Sequence, residues 1–165
     1  MMNVNAKIDW HAGMELTAQT FIELDKSLAR SQQITHRISN GNHFGVIPAV
    51  PFHCQGAFVK KTLEITPLTF MALMPSGKIL HIDENVVVDI PILYGKEYYL
   101  GCKQGDKMRT FDKERVPFVA PEPVCAIYTL EELEQDDIMP VMKFQVHEGT
   151  FSIDMDYLPP CLVVE

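Results

Sequence analysis

A chain of 165 residues, 47% hydrophobic and 22% charged, suits one domain with a substantial core and excludes a disordered or fibrous protein. Its formal net charge of −8 argues against a general nucleic-acid or anionic-membrane binder, because those partners need clustered Lys and Arg and the only adjacent basic pair is Lys60-Lys61. The N-terminal Met-Met-Asn-Val-Asn-Ala-Lys lacks the apolar core of a secretory signal, and no apolar run is long enough to span a bilayer. The expectation is a cytoplasmic protein without direct membrane insertion, whose partners are proteins. Cys54, Cys102, Cys125 and Cys161 have neither paired metal-ligand spacing nor the density of a disulfide scaffold, and read as four reduced, mostly buried thiols.

Ile8-Asp9-Trp10 alternates like a strand, and His11-Ala12-Gly13-Met14 breaks that rhythm at a glycine. Thr17 is a good N-cap and Glu23 and Asp25 lie toward the positive end of the dipole, so a helix is predicted over about 18–39. Phe21, Leu24, Leu28, Thr35 and Ile38, with Ile34 beside them, form a stripe predicted to be buried, and Asn40-Gly41-Asn42 ends the helix.

Everything from about 44 to 165 reads as strand and turn. Phe44-Gly45-Val46-Ile47 opens it. Gly56 to Val59 and Leu63 to Ile65 are predicted as one strand interrupted by Lys60-Lys61-Thr62 and stopped by Pro67. The clearest hairpin covers 69–82 around Pro75-Ser76-Gly77; both arms are apolar at nearly every position, which predicts cover on both faces and a place near the centre or at a subunit interface. Asp83-Glu84-Asn85 is predicted to turn the chain into Val86-Val87-Val88-Asp89-Ile90. Tyr98 to Cys102 forms a further strand, followed by a polar loop over 103–107. Residues 109–115 fit a loop or an edge strand, and 116–123 is too rich in proline for a central strand. The acidic stretch 130–137 suits a short helical turn or a solvated loop. A second hairpin over 139–155 turns at His147-Glu148-Gly149 with one face buried, and Cys161 to Val164 makes a last apolar strand. About ten strands and one helix predict a mainly β chain: a β-sandwich with one long N-terminal helix packed against it.

Candidate chemistry is sparse. His43, His53 and His81, with Cys54, would suit a small metal- or ligand-binding sandwich, but their spacing matches no closed or open site. Asp154 and Asp156 share a strand face where paired carboxylates could do acid–base work, and solvation accounts for them. No nucleophile elbow, phosphate-cradling glycine loop or cysteine with a placed base occurs. The residues predict a binding or structural module with no enzyme activity, catalytic residue, cofactor or metal.

Trp10-His11-x-Gly13-Met14-x-Leu16-x-x-Gln19-x-Phe21, followed by the helix and Phe44-Gly45-Val46, resembles the opening of TssK-type baseplate subunits of the bacterial type VI secretion system. Met74 to Ile79 is similar to the family's P-x-G turn, and Gly149 to Pro160, ending Tyr157-Leu158-Pro159-Pro160, is similar to the close of its first domain. Ala18 and Thr20 depart from the family, which often has proline and histidine there. The resemblance implies that residues 1–165 are a single shoulder domain like that of phage receptor-binding proteins, docking to baseplate wedge subunits at the cytoplasmic side of the machine. It leaves open whether the chain is a fragment or a short homologue without neck and head. It also implies a homotrimer, expected to be weak without neck helices. Phe70, Met71 and Leu73 are then the expected interface, with Phe21, Leu24 or Leu28 supporting the core.

Overall fold

Alternating apolar residues after position 44 produce two antiparallel four-stranded sheets with a shared core. The computed structural model describes residues 9, 11–41, 43–48, 50–91, 93, 97–111 and 118–162, without the side chains of 37, 38, 40, 110, 111, 118 and 119. The first sheet is built on β3 (Thr62–Leu73). On one side β3 pairs with β2 (His53–Val59) and, at Ala72 and Leu73, with β1 (Gly45–Val46). On its other side β4 (Ile79–Asp89) follows it end to end. The second sheet runs β6 (Phe118–Tyr128), β5 (Glu97–Phe111), β7 (Met139–His147), β8 (Thr150–Ile153). Leu63, Ile65, Leu68 and Phe70 of β3 meet Leu100, Cys102, Met139 and Met142 of the second sheet in one cluster. The predicted sandwich is therefore present, with eight strands among the described residues instead of about ten.

The difference lies at polar residues and prolines that read in the sequence as interruptions or turns. Lys60, at φ 57°, turns β2 back onto β3, so 60–62 is a hairpin and not an interruption. Pro67 does not stop β3. It follows a cis peptide bond in a bulge where Thr66 and Pro67 together face Asn85, a place where the ladder is already broken and no N–H is needed. Asp83-Glu84-Asn85 makes no turn either, because Asp83 and Glu84 have partners: the Thr69 hydroxyl donates to Asp83 Oδ1 at 3.0 Å, and Arg109 donates to Glu84. The expected loop over 103–107 is a bulge inside β5, where Gly105 passes so close to β6 that a Cβ would lie 2.7 Å from the Glu122 carbonyl oxygen. The described part of the proline-rich run, from residue 118, is extended and stays out of the sheet's centre as predicted, in an edge strand that continues to Tyr128.

Both predicted hairpins form. Gly77 (φ 86°) turns the first, with Met74 N–H donating to Lys78 O at 2.8 Å; Glu148 and Gly149, both at positive φ, turn the second. Cover on both faces holds for the β3 arm, where Phe70, Ala72, Leu73 and Met74 are all buried, and fails for the β4 arm, where Leu80 and Ile82 are buried and Ile79 and His81 are exposed. At the other end of the chain, Val46 N–H donates to Pro160 O at 2.7 Å and Leu162 N–H to Val46 O at 2.9 Å. Within the described residues the expected last strand is thus a single parallel bridge between Val46 and Cys161.

The helix α1 spans Ala18–Asn40, capped by Thr17 in a reciprocal box with Thr20 and ended at Gly41 (φ 61°). No acidic residue lies in its first turn; Glu23 sits further along and binds Gln19 and Lys26 at 2.9 and 3.1 Å. The predicted burial of its stripe does not occur. Phe21 and Leu28 are 51% and 54% exposed, and no described side chain of α1 is buried. The two sheets close the core on each other and leave none of it for the helix to cover. A six-residue helix, α2 (Leu130–Gln135), capped reciprocally by Thr129 and Glu132, takes up the acidic stretch.

Candidate functional site

The two flanks of the sandwich are closed by different chemistry. On the β2/β8 flank, Phe58 stacks on Phe151 at 4.9 Å and meets Phe144 edge-on at 5.3 Å, while Phe144 also packs on Tyr98 at 5.9 Å. On the β4/β6 flank the closure is ionic. Arg109, leaving β5 beside its bulge, donates through Nη1 to Glu84 of β4 at 2.6 Å and through Nη2 to Glu122 of β6 at 3.1 Å. These two carboxylates, Glu84 first, push the guanidinium pKa up. Gln104 Nε2 adds a bond to Ile79 O at 2.6 Å.

Between these tied edges lies a cleft of about 580 Å³, lined among others by Glu84, Val87, Asp106, Lys107, Glu122 and Cys125. Cys125 stands directly opposite Cys102 in the β5–β6 ladder, with their sulfurs 2.7 Å apart. Cys102 is buried, Cys54 and Cys125 are half-buried and Cys161 is exposed. Burial, with a smaller contribution from Cys125, pushes the Cys54 thiol up from 9.0 to about 12, and burial also raises Cys102. Tyr157 rises from 10.0 to about 12, mainly through burial and then through Tyr99. An unfolded chain therefore gives up these protons at lower pH than the folded one, so stability is lost as pH climbs from about 9 toward 12. Thermal unfolding from pH 8 to 11 should show a melting temperature that falls above about pH 9; a flat profile would contradict the buried, protonated thiols.

The sequence-predicted residues are scattered over the fold. Trp10 lies outside the described residues. Gly13 (φ 84°) turns the chain before α1, with Met14 N–H donating to His11 O at 3.2 Å. Leu16 and Phe21 are exposed, Gln19 bonds Glu23, and Pro159 and Pro160 are half-buried, Pro160 against β1. Of the expected interface, Phe70 (0% exposed) and Leu73 (3%) are buried within this chain, and Met71 alone keeps accessible surface. The histidines are not brought together. Among the described residues no three His, Cys, Asp or Glu side chains meet in an arrangement that could hold a metal, so the structure lends no support to a site built from His43, His53 and His81. Asp154 lies beyond β8 and its Oδ1 accepts from Asp156 N–H at 3.0 Å, so the pair forms a turn and not a strand face. The Arg109 bridge was not anticipated from the sequence. Its only trace there is the first of two arginines in a stretch of ambiguous structure.

No protein-family model matches the chain, and no curated protein matches it. Solved structures do. A crystal structure of TssK superposes with a TM-score of 0.63 at 12% identity, over 97% of this chain and 43% of that one. A chain of a type VI secretion system baseplate complex matches at 0.59 and 13% identity, over 96% and 60%. A chain of the TssK-TssF-TssG baseplate subcomplex matches at 0.56 and 12%, over 96% and 62%. The chain spans about half the length of these matches. Among the described residues no helix is long and apolar enough to cross a membrane. A mainly β sandwich preceded by one long helix, matched over nearly its whole length, gives this chain a TssK-like fold.

Proposed function

We propose that this protein is a non-enzymatic adaptor of a type VI secretion baseplate, a shoulder-like sandwich that docks to other baseplate subunits on the cytoplasmic side of the machine. The observation that carries this reading is the likeness to TssK and to chains of two baseplate assemblies over 96–97% of the chain. Two features support it. The motif order from Gly13 to Pro160 runs through the whole domain, and α1 offers Phe21, Ile22 and Leu28 as exposed apolar surface that the described residues do not bury. Subunits of the TssF and TssG type are the partners to try, since one matched chain comes from an assembly of that composition. Co-expression with them from the same genome should give a complex that survives size-exclusion chromatography, and Phe21→Glu with Leu28→Glu should dissolve it while leaving the circular-dichroism spectrum unchanged. Failure of the unaltered chain to bind any of them would remove the adaptor reading. Weak, concentration-dependent trimerisation is part of the proposal, with Met71 as the contact residue retained from the expected interface. A species that stays monomeric in light scattering across a dilution series would count against it.

A further inference from the structure

The cleft on the β4/β6 flank leads to a pair of thiols that the adaptor reading does not use. Cys102 and Cys125 are direct cross-strand partners, a placement that sets Cα atoms about 4.5–5.5 Å apart, inside the span of roughly 4.4–6.8 Å that a disulfide bridges. Their sulfurs are already 2.7 Å apart. The two thiols differ in access: Cys125 is half-buried and lines the cleft, whereas Cys102 behind it is fully buried. Cys54, packed against the same core from β2, is near enough to interact electrostatically with both. These three do not form a metal-holding group. Closely opposed thiols, one of them lining a cleft, have the geometry for exchange with a disulfide.

We propose that Cys125 and Cys102 form a thiol–disulfide exchange site, in which Cys125 takes a small disulfide entering the cleft and Cys102 closes the intramolecular bond. The Cys125 thiolate attacks one sulfur of the incoming R–S–S–R, forming a Cys125–S–S–R bond and releasing R–S⁻. Cys102 then gives up its proton, which the released thiolate takes, and attacks the Cys125 sulfur to expel the second R–S⁻, which takes from solvent a proton equal to the one Cys125 lost to solvent on forming its thiolate. In sum, two protein thiols are oxidised to one disulfide and one R–S–S–R is reduced to two R–SH. Glu84, Asp106 and Glu122 outnumber Lys107 among the charges lining the cleft, with Arg109 already held between two of those acids. A cationic disulfide is therefore favoured over an anionic one. The bond ties the edge strand β6 to β5 at the flank where Arg109 and Gln104 link β5 to β4 of the other sheet.

The test uses the chain with exposed Cys161 replaced, Cys161→Ser, so that three thiols remain. After incubation with cystamine, acid quench and alkylation under denaturing conditions, one alkylatable thiol should be left, with peptide mapping joining Cys102 to Cys125. Adding Cys102→Ser should halt the reaction at one cysteamine attached to Cys125. Three thiols still alkylatable, a bond that includes Cys54, or no adduct in the Cys102→Ser chain would each overturn the proposal. None of these readouts depends on baseplate docking.

Discussion

Phe144→Ala is expected to destabilise the domain by about 3–5 kcal/mol, the usual cost of removing a buried aromatic ring from a core that cannot collapse around the space. Phe144 is fully buried at the centre of the aromatic flank, in ring contact with Phe58 of the first sheet and with Tyr98 and Phe151 of the second. Its ring joins the sheets, so its loss removes contacts on both sides of the sandwich at once. For a domain whose whole stability is on the order of 5–15 kcal/mol, that is a large share. Urea unfolding followed by fluorescence should show a clearly lower midpoint with a similar slope. By contrast Phe151→Ala, at a half-buried residue on the short edge strand β8, should cost less. Equal costs would show that the ring packing is not centred on Phe144.

Leu73→Glu is expected to unfold the protein, whereas Met71→Glu, two residues away on the same strand, is expected to leave it folded. Leu73 is 3% exposed within the single chain, and an ionised carboxylate buried there without a partner costs on the order of 5 kcal/mol or more. Met71 is half-buried and pairs across the ladder with exposed His81, so a carboxylate there stays in reach of water and should change stability by no more than about 1 kcal/mol. The pair separates two accounts of the apolar hairpin. Circular dichroism reports folding, and light scattering on Met71→Glu reports association. A lower mass with an unchanged fold places Met71 in a contact between copies. Unfolding of both variants would mean that this face is covered core throughout.

The cap at Thr17, the stop at Gly41, the turns at Gly77 and Gly149, and the alternation along β8 and the second half of β7 follow from the sequence alone, because each depends on backbone angles or a period set by a few neighbouring residues; the first half of β7 breaks the expected alternation, with Met139, Pro140, Val141 and Met142 all buried. The mainly β class follows from the order of those local signals, whereas the TssK-like arrangement is implied by the resemblance of the Trp10 to Phe21 run and of Gly149 to Pro160. Tertiary structure decided the rest, and its decisions concern residues whose local preference is contradicted by a distant partner. Glu84 belongs in a turn by composition but lies inside β4, because Arg109 of the other sheet neutralises it. Pro67 breaks a ladder by chemistry, yet β3 passes through it where a bulge has already interrupted the pairing. Phe21 and Leu28 have the spacing of a buried stripe and remain exposed, since periodicity states which side chains share a face and not whether anything in the same chain covers it. Cys102 and Cys125 lie 23 positions apart with no motif between them, and only the register of β5 on β6 sets their sulfurs side by side.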